Sequence, residues 1–217
     1  SLAAGEFPFL DSCRDVTGLK TCQIDTSHGL KGWLAADPSQ ATDLGNPNAL
    51  LFAVPIAMAL ALVYIYHWGT TRFAAGFDDL FANFFIFLIV FFLGIVVHEL
   101  IHGFTWMLFG RLPFSAIKFG FQIRTFTPYA HCLVPLKVNP YRIGAAMPCI
   151  LLGFLPAIAS LLNGNGLLLA FGLLFTTAAG GDLLILWLIR RVESDKLVED
   201  HPTNAGCYVI ESGTETL

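Results

Sequence analysis

The sequence predicts an all-α membrane protein with four transmembrane helices and a short β-hairpin between helices two and three. Of its 217 residues, 55% are hydrophobic and only 13% are charged, too few charges to cover the surface of a soluble domain. Four apolar stretches are each long enough for a bilayer core, which takes about 20 helical residues. Between the second and third stretches, apolar and polar residues alternate with the period of a strand.

The chain divides into three parts by composition. Residues 1–47 are polar and contain scattered Gly, Asp and Pro, so we expect a small extramembrane segment there. Residues 48–191 contain the four apolar stretches and are expected to form the membrane core, with the hairpin within 113–139. Residues 192–217 are expected to form a cytoplasmic tail.

Local signals set the bounds of the helices. Asp78 and Asp79 suit the N-terminus of the second helix, where backbone N–H groups lack partners. Pro148 and Pro156 should kink the third helix. The Asn-Gly steps of "NGNG" favour a tight reversal, so helices three and four should form a close antiparallel pair. The predicted helices are Ala49–Trp68, Leu80–Gly110, Ala145–Leu162 and Leu167–Arg191.

The hairpin is predicted from alternation followed by turn residues. Four apolar positions, Ile117, Phe119, Phe121 and Ile123, alternate with Lys118, Gly120, Gln122 and Arg124. The following "TP" indicates a turn, and "CLVPLKV" reads as a second, poorer strand. Because Pro135 cannot donate to a ladder, this second strand should lie at an edge.

The distribution of charge predicts the orientation and excludes one class of partner. Basic residues concentrate before helix one, between helices two and three, and after helix four, whereas the loop between helices one and two carries only Arg72. The protein is therefore expected to be a multi-pass protein of the cell membrane with both termini in the cytoplasm. The net charge of −4 and the absence of a Lys/Arg-rich run argue against a nucleic-acid partner.

Cysteine usage gives little support for disulfides. The five cysteines are odd in number and contain no CxxC pair. A disulfide framework is not expected, although Cys13 and Cys22 could pair in an oxidising compartment.

The stretch "GIVVHELIHGFTW" places His98, Glu99 and His102 inside the second apolar helix. An unpaired charge there costs about 2.5–3.5 kcal/mol or more. Residues four apart share one helix face, so His98 and His102 can bind a single metal ion, while Glu99 is placed to activate a water. This is the H-E-x-x-H pattern of zinc hydrolases. The alternative is two buried histidines satisfied by other helices, with Glu99 paired locally.

A catalytic zinc takes three protein ligands, and Asp182 is the leading candidate for the third. It and His102 each lie eight residues before the predicted cytoplasmic end of their helix, about 12 Å deep at 1.5 Å per residue. Gly180 and Gly181 would allow helices two and four to approach closely. A protonated or hydrogen-bonded structural aspartate is the alternative for Asp182. The competing ligands are His131, Cys132 and His201.

From about residue 80 onward the chain resembles a family of bacterial membrane proteins described as zincin peptidases. The matching pieces are "HELIHGFTW", "FGFQIRTFTPYAHCLVPLKVNPYRIGAAMPCILLGFLP", "AAGGDLLILWLIR" and "VEDHPTNAGCYVIES". The arrangement also resembles a compact site-2 protease core. That resemblance implies Zn²⁺ held by His98, His102 and Asp182, with Glu99 as the base. The "GGD" sequence departs from the Asn-Pro-Asp-Gly pattern of site-2 proteases.

The expected function is that of an intramembrane zinc metalloprotease, which hydrolyses peptide bonds of membrane-embedded or membrane-adjacent substrates by means of a zinc-activated water. An edge strand within 113–139 could capture an unwound substrate by β-addition. A zinc-dependent hydrolase of a lipid or small membrane amide or ester would use the same site. A non-catalytic membrane scaffold is a third possibility, but a binding protein has no need of Glu99 as a base.

Overall fold

A computed structural model of the protein describes residues 13–16, 19–22, 47–123, 127–200 and 207–210. Within these residues, helices predominate and the strands are short. The helices are α1 (Pro47–Ala82), α2 (Phe84–Gly110), α3 (Val138–Pro148), α4 (Leu155–Asn163), α5 (Gly166–Ala178) and α6 (Gly180–Leu188). The strands are β1 (Cys13–Val16), β2 (Leu19–Cys22), β3 (Ile117–Gln122), β4 (Thr127–Cys132), β5 (Leu136–Lys137), β6 (Leu197–Asp200) and β7 (Cys207–Ile210).

Three helical runs are long and apolar enough to cross a membrane, namely Leu50–Ala82, Phe84–Gly110 and Val138–Asn163. The fourth predicted span is broken, because the chain bends by 44° between α5 and α6. Only together are these two helices long and apolar enough to cross a membrane. The break falls at Ala179 (φ −75°, ψ 10°) and places Asp182 in the first turn of α6. The described residues are thus compatible with a membrane protein of three or four spans.

The loop predicted between the first two helices is wrong, because the chain is mainly helical from Pro47 to Ala82. Gly69, with φ 80° and ψ 163°, interrupts this run, in a conformation that glycine adopts without a Cβ penalty. After Gly69, Gly76 lies directly against the backbone of Gly166 in α5. Packing against α5 therefore stabilises a helix where the sequence predicted a loop. Asp78 and Asp79 therefore lie near the end of α1, which ends at Ala82, so their predicted place at the N-terminus of the second helix is wrong; α2 begins at Phe84.

The third span changes its helical hydrogen-bond pattern between the two prolines that were predicted to kink it. Pro148 ends α3, a π-helical turn covers Cys149–Phe154, and Pro156 lies in the first turn of α4. A proline removes one backbone donor, and the helix accommodates the loss by shifting its hydrogen-bond register. The helical run starts at Val138, earlier than the predicted Ala145.

The reversal between α4 and α5 also follows the sequence signal. Gly164 adopts φ 72° and ends α4, and the Asn165 side chain caps α5 by accepting the N–H of Leu168 at 2.9 Å. Gly172 of α5 lies against the backbone of Gly153 and Ala157. The two helices pack closely, as the sequence predicts for this pair.

The hairpin lies between α2 and α3, but its second strand differs from the prediction. β3 pairs with β4 in antiparallel register from Ile117↔Cys132 to Gln122↔Thr127, so the "TP" predicted as a turn begins the second strand. After Pro135, Leu136 and Lys137 form β5, which pairs with β6 of the tail. Pro135, which has no N–H to donate, lies between the hairpin and β5. The chain then joins a separate sheet with the strand order β5-β6-β7.

The N-terminal segment and the tail are described only in part. The β1–β2 pair places Cys13 opposite Cys22, and the other residues of 1–46 lie outside the described residues, as do 201–206 and 211–217. The tail sheet packs into a buried cluster with α2 and α3 that includes Trp106, Tyr141 and Val198. This cluster joins the membrane helices to the hairpin and the tail.

Candidate metal centre

Helix α2 places the two histidines of the H-E-x-x-H motif on one buried face. His98 and His102 are 9% and 6% exposed, and their Nε2 atoms lie 3.1 Å apart. Their spacing of four residues accounts for this proximity. The two side chains therefore direct nitrogen atoms towards a common point.

Asp182 reaches the same point from α6. Its Oδ2 lies 3.1 Å from Nε2 of His98, and its Oδ1 lies 3.3 Å from Nε2 of His102. The bend at Ala179 starts a new helix just before Asp182. The structure thus brings together the three residues that the sequence analysis assigned to one ion.

The three side chains fit a zinc ion by distance. A tetrahedral ion with bonds of about 2.0–2.1 Å has ligand–ligand edges of about 3.3–3.4 Å. The two Nε2 atoms lie 3.1 Å apart, and each lies close to a different oxygen of Asp182, His98 to Oδ2 at 3.1 Å and His102 to Oδ1 at 3.3 Å. The site therefore needs only a slight expansion to hold the ion.

Hydrogen bonding at His102 also favours a cation. Its Nδ1 lies 2.9 Å from the carbonyl oxygen of Gly144, which can only accept, so Nδ1 carries the proton. In neutral His102 the Nε2 lone pair then faces the Asp182 carboxylate and the nitrogen of His98. These electron-rich atoms repel one another unless a metal ion lies between them or one of the ring nitrogens carries a proton.

Glu99 lies beside this site and contacts the hairpin. Its Oε2 accepts the backbone N–H of Ala130 in β4 at 2.8 Å. The potential metal-binding atoms of Glu99, His98 and His102 all lie within 4.8 Å of one another. A carboxylate oriented in this way can take a proton from a water at the site.

An aromatic stack behind His102 was not predicted from the sequence. The Trp106 ring stacks on His102 with centroids 5.4 Å apart, and Tyr141 stacks on Trp106 at 5.5 Å with 9° between the planes. Trp106 Nε1 also donates to the Tyr141 carbonyl oxygen at 3.4 Å. One feature of the sequence indicates the contact between Trp106 and His102: the two residues are four apart and therefore lie on the same helix face.

Gly181, one of the two glycines expected to permit close approach, does not do so. A Cβ at Gly181 would meet nothing within 4 Å, so the expectation for Gly181 is wrong. Close approach between α2 and α5 occurs at Gly94, which faces the Phe175 ring. Between α2 and α3 it occurs at Gly144, which faces the indole of Trp106.

Gly144→Ala should lower zinc affinity by about 10–100-fold, the usual loss when an outer-shell partner is disturbed. The new Cβ would overlap Trp106 and displace the carbonyl that orients His102. Competition with a chelator measures the affinity. The matched control is Gly181→Ala, whose Cβ has free space. Equal zinc affinity for the two variants would contradict this role of Gly144.

The competing ligands have other partners or lie outside the described residues. His131 Nδ1 pairs with Asp200 Oδ2 at 3.1 Å. The Cys132 thiol donates to the Val134 carbonyl oxygen at 3.2 Å, and burial raises the pKa of this thiol to about 11, so Cys132 stays protonated at neutral pH. His201 is not among the described residues.

No curated protein and no solved structure matches the chain. Residues 91–197 match a family described as "Putative zincin peptidase", and this segment contains His98, Glu99, His102 and Asp182. The part of the chain that carries the candidate metal centre is therefore similar to this family.

Proposed function

We propose that the protein is an intramembrane zinc metalloprotease that cleaves peptide bonds of membrane-embedded or membrane-adjacent proteins. The observation that carries this proposal is the cluster formed by the Nε2 atoms of His98 and His102 and the carboxylate oxygens of Asp182, with separations of 3.1–3.3 Å. This cluster lies among apolar helices long enough to span a bilayer. Charged and polar groups at such depth are costly and usually serve a function.

Each residue has a distinct role in the proposed reaction. His98, His102 and Asp182 hold the ion, and the Gly144 carbonyl fixes the tautomer of His102. Zinc, when bound, polarises the substrate carbonyl and lowers the pKa of water towards about 7. Glu99 takes a proton from the attacking water and delivers it to the leaving amine as the C–N bond breaks.

The outer edge of β4 is the proposed place for the substrate. Ala130 and Cys132 direct their N–H groups away from β3, to Glu99 at 2.8 Å and Asp200 at 3.2 Å, while Pro128 has no N–H. An unwound substrate segment that added to this edge would take the Ala130 N–H from Glu99. The carboxylate would then become available when the scissile bond arrives.

The proposed setting is the cell membrane, with residues 48–191 as the core and both termini in the cytoplasm. Arg142 supports this arrangement at the end of α6, where its guanidinium donates to the carbonyl oxygens of Ile189 and Val192. Arg190 and Arg191 follow directly, as the positive-inside rule requires for a cytoplasmic end. The proposed partners are the lipid bilayer and membrane-protein or peptide substrates.

A second candidate is hydrolysis of a lipid amide or ester at the same site. It is favoured by an apolar cavity of about 420 Å³ bounded by α1, α2 and α5, whose lining includes Phe77, Phe84 and Leu173. An acyl chain fits a cavity of this character. Phe91 belongs to the same lining, and its ring centroid lies 5.6 Å from that of Phe175.

Metal removal tests the proposal directly. We expect the purified full chain to carry one zinc per molecule and, in vesicles, to cleave a transmembrane peptide that contains a helix-destabilising segment. A chelator should abolish this cleavage, and added zinc should restore it. Vesicles that contain lipid esters serve as the parallel substrate: zinc-dependent cleavage of the ester but not the peptide would favour the second candidate. A chain without zinc would contradict both.

A further inference from the structure

Asp200, the last residue of β6, connects three elements through one carboxylate. Its Oδ2 lies 3.1 Å from His131 Nδ1 and accepts the Cys132 backbone N–H at 3.2 Å. Its Oδ1 accepts the Tyr141 hydroxyl at 3.0 Å. The side chain is only 12% exposed. The tail is thereby attached to the hairpin and to α3 at a single group.

One route from Asp200 leads along β4 to the candidate base. Cys132 bonds to Asp200, and Ala130, two residues earlier on the same edge, bonds to Glu99. Two residues of a strand span about 6.7 Å, and β4 is held straight by its pairing with β3. A shift of Cys132 would therefore move the N–H that orients Glu99.

A second route leads through the aromatic stack to a candidate ligand. The Tyr141 hydroxyl bonds to Asp200, and its ring stacks on Trp106, which in turn stacks on His102. Tyr141 is 2% exposed, so its ring has little room to move independently. The position of Asp200 is thus coupled to the ring plane of His102.

We propose that Asp200 is a positioning residue of the metal centre, which sets the placement of Glu99 through β4 and of His102 through Tyr141 and Trp106. This inference rests on the proposed function. Hydrogen bonds that the carboxylate accepts, rather than simple attachment of the tail, are what fix the two side chains. Loss of these bonds should change the geometry of the site even when the tail remains in place.

Cobalt substitution of the purified full chain tests the inference without any cleavage assay. The d–d absorption bands of bound Co²⁺ report the geometry of its ligands. Asp200→Ala should shift these bands and lower Co²⁺ affinity by about tenfold or more. Asp200→Asn should restore both, because the amide oxygen can accept the Cys132 N–H while the amide nitrogen donates to the Tyr141 hydroxyl oxygen. The matched control is Glu193→Ala, because the Glu193 side chain is 74% exposed and lies outside the site.

The outcomes separate the two proposals. Bands and affinity of wild type in a folded Asp200→Ala variant would overturn the positioning role, as would an equal change in Glu193→Ala. If Asp200→Ala does not fold, Tyr141→Phe breaks only the second route, and an unshifted spectrum there would overturn the coupling of Asp200 to His102. Failure of the wild type to bind one Co²⁺ or Zn²⁺ would instead contradict the proposed function.

Discussion

Glu99→Gln should reduce peptide cleavage by about 10²–10⁴-fold, the usual contribution of a general base, while the protein retains its fold and its zinc. The amide has nearly the same shape and can still accept the Ala130 N–H that Glu99 now accepts, so β4 should keep its place. It cannot take a proton from water. The loss should therefore appear in turnover rather than in metal content.

The measurement compares wild type and Glu99→Gln in vesicles with the same transmembrane peptide, with zinc content determined on the same samples. Glu193→Gln is the matched control, because the Glu193 side chain is 74% exposed and lies outside the site. Wild-type cleavage by Glu99→Gln would contradict the mechanism. Loss of zinc in that variant would show that Glu99 helps to hold the ion.

Asp182→Asn should lower zinc affinity by more than the roughly 10–100-fold that accompanies loss of an outer-shell partner. The amide removes the negative charge that now faces Nε2 of both His98 and His102. Two imidazoles alone leave the ion with one protein ligand fewer than catalytic zinc sites use. Cleavage should decline in parallel with zinc occupancy.

Metal analysis after dialysis against a weak chelator measures the effect, and anomalous scattering at the zinc edge would identify the remaining ligands. Asp78→Asn is the control: it makes the same chemical change at an exposed carboxylate near the end of α1. Zinc affinity like that of wild type in Asp182→Asn would rule out Asp182 as the third ligand.

The sequence predicts those features of the site that depend on local spacing. His98 and His102 meet because they are four residues apart on one helix. Asp182 was chosen for its depth and its rarity as an acidic residue in an apolar helix, and the structure brings its carboxylate within 3.3 Å of both histidines. Depth along a helix requires only the rise per residue, so it can be estimated without knowing how the helices pack.

Features that depend on long-range packing were not predicted. Three features arise from contacts between distant segments: the bend before Asp182, the close contact at Gly94 rather than at Gly181, and the stack of Trp106 on His102. The hairpin illustrates the same limit. Alternation identified β3, but the partner strand was fixed by Pro135 and by pairing of β5 with the tail.

The capped edge of β4 has an energetic consequence for selectivity. Its N–H groups at Ala130 and Cys132 are bonded to carboxylates, and hydrogen bonds to charged groups contribute about 1.5–3 kcal/mol each. On the proposed mechanism, an entering chain must compete with these bonds before it can pair. A membrane protease surrounded by lipid and folded helices would therefore not bind segments that make only brief contact with it. It would bind segments that readily adopt an extended conformation.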